Sequence, residues 1–239
     1  MANSDEFLSA FNEIERHLRR MTDANKETPF HILVREASES HAAVRRFSND
    51  LKEFADLRNA ITHERTDGHV IAEPNDRAVA DIKRVALLLI NPPRVVPQFQ
   101  KHILALQTTD PVAEAVKSML AHSFSQIPIY ENQAFKGLLT TEAVARWLGV
   151  CVAEDLFSLR ETRIDRVLEY AEEEDNCCFI TKNATLFQAL HIFEGCQKDG
   201  RRLEAILITE NGRAHESLLG MITVWDLPAI YDELEGIRD

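Results

Sequence analysis

The chain has 239 residues, of which 45% are hydrophobic, 28% charged and 7% aromatic. That length and apolar fraction supply a core for one large domain or two modest ones, and they exclude a disordered or fibrous chain. A formal net charge of −12 argues against general duplex binding, and no apolar run nears the roughly 20 residues that span a bilayer.

The acidity is uneven. Residues 1–94 hold 14 basic against 16 acidic side chains, a balance of −2, whereas the remainder carries −10. The N-terminal part is thus electrostatically open to an anionic partner. The start, MANSDEFLSAF, lacks a basic leader, so an unexported, cytoplasmic protein is expected. Cys151, Cys177, Cys178 and Cys196 show no CxxC spacing, and the nine histidines form no HxxxH or HExxH pair. No metal is expected.

From Glu6 to Ile90 the pattern is helical. Phe7, Phe11, Ile14 and Leu18 recur at three- and four-residue steps, as do Val44, Phe47, Leu51, Phe54 and Ile61, and then Val79, Ile82, Val85, Ala86 and Leu89. Strand-like alternation is absent, so residues 1–91 read as an all-α helical bundle. Thr28-Pro29 and Glu73-Pro74-Asn75-Asp76 read as helix starts.

One helix, Asn49–Glu64, ends in the polar stretch Arg58-Asn59-Ala60-Ile61-Thr62-His63-Glu64. Asn59 and His63, four apart, share a face, so the carboxamide can orient the imidazole. Arg58 lies about 140° round the helix from His63 and reaches it only through a long side chain. Arg58 could equally pair with Glu53, Asp56 or Glu64, and His63 could simply sit on the negative end of the helix dipole. Arg45 and Arg46 offer a further phosphate-binding face or an ordinary solvated one.

Three prolines in Asn91-Pro92-Pro93-Arg94-Val95-Val96-Pro97 break the helix and predict an extended connector over 92–97. Beyond it, short apolar strands alternate with helices, and the segment contains an internal repeat. Thr109–Ala115 matches Asn183–Ala189, Gln126–Asn132 matches Ala205–Asn211, and Gly137–Thr140 matches Gly220–Thr223. The offset grows from 74 to 83, so the second copy carries nine extra residues, assigned to loops around 197–202 and 213–217.

This β-α-β-β-α unit, closing on Gly-x-x-Thr-x-x-Asp and a helix, resembles a CBS domain, and two copies in tandem resemble the CBS pair called a Bateman module. The resemblance covers about residues 98–232 and predicts a first repeat over 98–150, a helical segment over 151–177 and a second repeat over 178–239. It implies an adenosine-containing ligand, such as an adenine nucleotide, with the motif hydroxyl meeting phosphate and the Asp accepting from ribose hydroxyls. An ionised carboxylate can receive both hydroxyls of a cis-diol, and a hydroxyl at a helix start suits a phosphate. GMITVWD supplies Thr223 and Asp226, whereas GLLTTEA keeps Thr140 but puts Ala143 at the Asp position. One site is therefore expected, at Thr223 and Asp226, with Thr181 as a further candidate. Helix capping alone would also use this pair.

The N-terminal bundle with Arg58-Asn59-Ala60-Ile61-Thr62-His63 resembles the HEPN superfamily, whose ribonuclease members carry an R-x(4–6)-H motif near a helix end. The resemblance implies a homodimer with two motifs facing one cleft, and metal-independent cleavage of single-stranded RNA. Arg58, Asn59 and His63 are the catalytic candidates. His63 would move the 2′-hydroxyl proton near neutrality, and Arg58 would stabilise phosphate charge. The combined expectation is a multidomain, ligand-sensing regulatory protein, in which a CBS pair controls a HEPN-like dimeric domain. The alternative is a ribonuclease gated by that pair.

Overall fold

The computed structural model describes residues 2–63, 65–66, 69–70, 73–154, 158–171 and 176–235. The chain forms two compact units, residues 1–93 with 185–191, and residues 94–184 with 192–239. Each follows from its own apolar pattern.

The first unit contains helices α1 (Asn3–Thr22), α2 (Phe30–Ser40), α3 (Ala42–Arg46), α4 (Ser48–His63) and α5 (Asp76–Ile90). The α1 stripe of Phe7, Phe11, Ile14 and Leu18 is buried, and α1 packs on α2, α4 and α5. Phe7 meets Phe54 edge-on at 5.9 Å, and Phe11 packs on Phe30 at 4.6 Å. Local chemistry sets the helix ends. Asp23 in the left-handed conformation closes α1, and the Asn75 side chain accepts from the Ala78 N–H to start α5. The expected absence of strands needs correcting: β1 (Arg65–Thr66) pairs antiparallel with β2 (His69–Val70). Two residues are too few for period-two alternation to show in a sequence.

The connector also differs from a plain extended segment. Val95–Gln98 forms a short helical turn, α6, around an extended Val96 and a cis Val96–Pro97 bond. Val95 is fully buried, and its N–H donates to the Ala184 carbonyl at 2.9 Å, so the segment is anchored.

In the second unit, β3 (Leu106–Gln107), α7 (Val112–His122), β4 (Gln126–Glu131), β5 (Ala134–Thr140), α8 (Thr141–Glu154) and α9 (Ile164–Leu168) precede β6 (Cys177–Thr181). Then come α10 (Leu186–Lys198), β7 (Ala205–Thr209), β8 (Gly220–Thr223), a 3-10 turn Val224–Asp226, and α11 (Leu227–Glu235). The sheets β3-β4-β5 and β6-β7-β8 share one plan, a parallel pair followed by an antiparallel pair. Their registers agree too, Gln126 opposite Thr140 in one and Ala205 opposite Thr223 in the other. Asn132 and Gln133, both at positive φ, make the tight β4–β5 turn. Central strand β7 is buried at every residue, as its unbroken apolar run requires. Leu138, Ala205, Leu207 and Met221 form one core cluster, against which Phe135 and Phe179 pack edge to face at 5.1 Å.

Residues 185–191, the start of α10, belong with the first unit. There Phe187 meets Phe47 edge-on at 5.7 Å, an attachment that the repeat alone did not suggest.

Candidate functional site

Gly220 begins the construction of the cleft. A Cβ at this position would lie 2.0 Å from the Phe99 carbonyl oxygen, so only glycine admits the neighbouring backbone. Gln100 bridges Gly220, and the Lys101 N–H donates to the Leu219 carbonyl at 3.1 Å. The segment after the connector is thereby laid along β8. The end of α7, capped by Ser123 at φ 55, brings residues 123–128 to the same place.

Between these segments and the end of β8 lies a cleft of about 290 Å³. Ile103, Leu104, Pro128 and Met221 give it an apolar wall, and Lys101, His102, Thr223 and Asp226 bring polar groups. Phe124 and Trp225 add two aromatic rings, and Ser123, Ser125 and Gln126 further polar groups. The Thr223 N–H and hydroxyl donate to Asp226 Oδ2 at 2.7 and 2.9 Å, closing a capping box. Both donors meet one oxygen, which fixes the carboxylate and leaves Oδ1 to accept from a ligand. The structure thus brings Thr223 and Asp226 together and assigns them a capping role, while both also line the cleft.

Thr181 stands apart from that cleft. At the end of β6 its hydroxyl donates to the Glu210 carbonyl at 2.9 Å and accepts from the Asn183 N–H at 3.4 Å.

The equivalent positions of the first repeat are differently furnished. Thr140 is buried and accepts from the Ala143 N–H at 3.0 Å, capping α8, and Ala143 has no side-chain oxygen to offer. Buried Asn176 donates to the Leu138 carbonyl at 3.5 Å, and Arg202 meets Glu142 at 2.7 Å and Glu204 at 2.6 Å. Protein groups therefore occupy each other here.

At the end of α4, Arg58 donates to Asn59 Oδ1 at 3.2 Å, and the Thr62 hydroxyl folds back on the Arg58 carbonyl at 2.9 Å. Asn59 is exposed and Arg58 half-buried. The Asn59 side-chain oxygen thus serves Arg58. His63 ends the helix, and its side chain lies outside the described residues.

Arg45 is exposed, and its guanidinium is engaged at the surface. It donates to the Ser38 and Glu39 carbonyls at 2.8 and 2.7 Å and contacts His191 Nε2 at 2.7 Å. A guanidinium only donates, so that imidazole nitrogen accepts. Among the described residues, no three His, Cys, Asp or Glu side chains converge as a metal site.

The resemblance to a CBS domain singled out Thr223 and Asp226, and their spacing places both at one helix start. It missed Lys101, His102 and Phe124, which reach the cleft through chain folding. Trp225 had a signal: a large apolar residue inside the polar start of a helix.

No helix of the described residues is long and apolar enough to cross a membrane. No curated protein matches the chain. Among solved structures, the chain is similar to AcuB from Vibrio cholerae, to which a role in acetoin utilization is provisionally assigned. Identity is 17%, coverage 61% of this chain and 94% of that one, and the TM-score 0.46. An uncharacterized conserved protein from Pyrococcus horikoshii shows 17% identity, 62% and 94% coverage and a TM-score of 0.42. The CBS domain pair of protein MJ0100, crystallised with 5′-methylthioadenosine and S-adenosyl-L-methionine, shows 12% identity, 59% and 98% coverage and a TM-score of 0.43. Residues 98–150, the first repeat, match the family model described as CBS domain.

Proposed function

We propose that the chain is a ligand-sensing regulatory protein, in which a CBS pair takes an adenosine-containing ligand in the cleft at Thr223 and Asp226 and controls a HEPN-like dimeric domain. The observation that carries this reading is that Thr223 and Asp226, bonded to each other, line one cleft opposite Lys101 and His102. In this assignment Asp226 Oδ1 accepts from the ribose diol, and the Ile103, Leu104 and Met221 wall takes the base. Lys101 supplies a cation for one phosphate. A cleft of about 290 Å³ is at the small end for ligand pockets, which favours a nucleoside or monophosphate over a triphosphate.

Calorimetric titration with adenosine, AMP and ATP tests the reading. Binding is expected to be tightest for the smaller two and to weaken about 10- to 100-fold in Asp226→Ala, the loss of hydrogen bonds to a charged group. Because Asp226 also caps a helix, Asp226→Asn serves as the companion. Its single carboxamide oxygen can hold the cap on the Thr223 N–H, which turns the NH2 toward the ligand, so it should melt closer to wild type than the alanine variant while binding is still weakened. Absence of heat with every adenosine compound, or unchanged affinity in Asp226→Ala, overturns the assignment.

For the first unit, the second reading is a metal-independent endoribonuclease acting on single-stranded RNA. It is supported by the placing of Arg58 and Asn59 together at the accessible end of α4. Purified protein in chelator should then cut unstructured RNA, and His63→Ala should remove the cutting while circular dichroism stays unchanged. Cutting that survives the substitution removes His63 from the chemistry.

A further inference from the structure

The chain has two tryptophans with opposite fates. Trp147 is packed in the core at 5% exposure, whereas Trp225 is 82% exposed although it borders the cleft. Exposure of so large an apolar surface needs a reason, because an indole is among the most favourable side chains to cover.

The repeat supplies a reference for what else can stand at this mouth. Counting outward from the matched strand pairs Gln126–Thr140 and Ala205–Thr223 sets Ser123 against Arg202, Phe124 against Leu203, and Trp225 against Glu142. In the counterpart, Arg202 Nη1 and Glu142 Oε2 meet at 2.7 Å, so these two positions lie across the mouth within reach of each other. Leu203 there is buried at 7% exposure, whereas Phe124 here is 42% exposed. One mouth is latched by an ion pair. The other has Ser123 and Trp225 at the equivalent positions, with Phe124, which stacks on His122 at 5.3 Å, also lining the cleft.

We infer that Trp225 is the lid of the ligand cleft, covering the outer face of a planar aromatic base whose inner face lies on the wall of Ile103, Leu104 and Met221. The inference rests on reading the cleft as a nucleoside site, and it names the part of the ligand that the capping carboxylate cannot recognise. A stacked base takes the place that the Arg202–Glu142 latch fills in the other half. Stacking is tolerant of base identity, so Trp225 selects for a ring-bearing ligand over a bare sugar phosphate more than it selects among bases.

Two fluorophores of opposite accessibility make the test direct. In wild-type protein, adenosine is expected to change the emission of the accessible tryptophan and shield it from acrylamide, whereas ribose 5-phosphate leaves both unchanged. Trp225→Ala should weaken adenosine binding about 10- to 100-fold, the worth of one stacked base, while Trp225→Phe stays within a few fold. The pair Ser123→Arg with Trp225→Glu, which installs the latch, should abolish binding. If adenosine binds with dependence on Asp226, yet Trp225 keeps its acrylamide access and Trp225→Ala binds as wild type, the lid is overturned and the cleft reading stands. If adenosine does not bind the wild type at all, both fall.

Discussion

His17 on α1 is partly buried, and that burial, then the Arg20 charge, then His41, hold its imidazole below the ordinary value of 6.5. A hydrogen bond to the Leu89 backbone pulls the other way and does not prevail. Between the lowered folded value and the ordinary unfolded one, the unfolded chain binds more protons. Stability is therefore full above about pH 6.5 and is lost as pH falls through the folded value. Urea midpoints should drop between about pH 7.5 and about pH 5 in wild type and drop less in His17→Gln; equal drops would remove His17 as the cause. At this scale the sequence was legible where a role is local. Asn75 and the Thr223–Asp226 pair act within three residues of themselves, and their spacing declares it. Arg45 was not legible, because its partners come from the end of α2 and from His191.

At the scale of elements, β8 and the segment laid against it depend on one absent side chain. Gly220→Ala drives a methyl into the Phe99 carbonyl, so one of the two strands must move. We expect a loss of about 2–3 kcal/mol together with lost ligand binding, read by thermal melting and calorimetry. Gly195 in α10 is the control: a Cβ there meets nothing within 4 Å, so Gly195→Ala should gain about 0.5–1 kcal/mol from helix propensity. A Gly220→Ala protein that melts with wild type would mean that the segment does not need this close approach. The long helices were readable because three-residue and four-residue apolar steps persist over α1 and α5. Strands β1, β2 and β3 have two residues each, too short for any alternation, and the Val95–Gln98 turn is held by a buried valine.

Over the whole molecule, the duplicated plan of the second unit was visible as a repeat because matched strand registers need matched apolar runs. Its asymmetry was visible only as Ala143 standing where Asp226 has its counterpart. The structure adds that Arg202 and Glu142 pair at the surface of the first repeat's counterpart positions, while buried Asn176 donates to the Leu138 carbonyl. Under the proposed function, with the acceptor carboxylate present in the second repeat and alanine at its counterpart Ala143, the chain should register concentration in the simplest way. It should saturate at one molecule per chain along a hyperbola, with no sigmoid arising within the chain. Equilibrium dialysis with adenosine at low protein concentration reads this directly, and a plateau at two would show that the first repeat binds without that carboxylate.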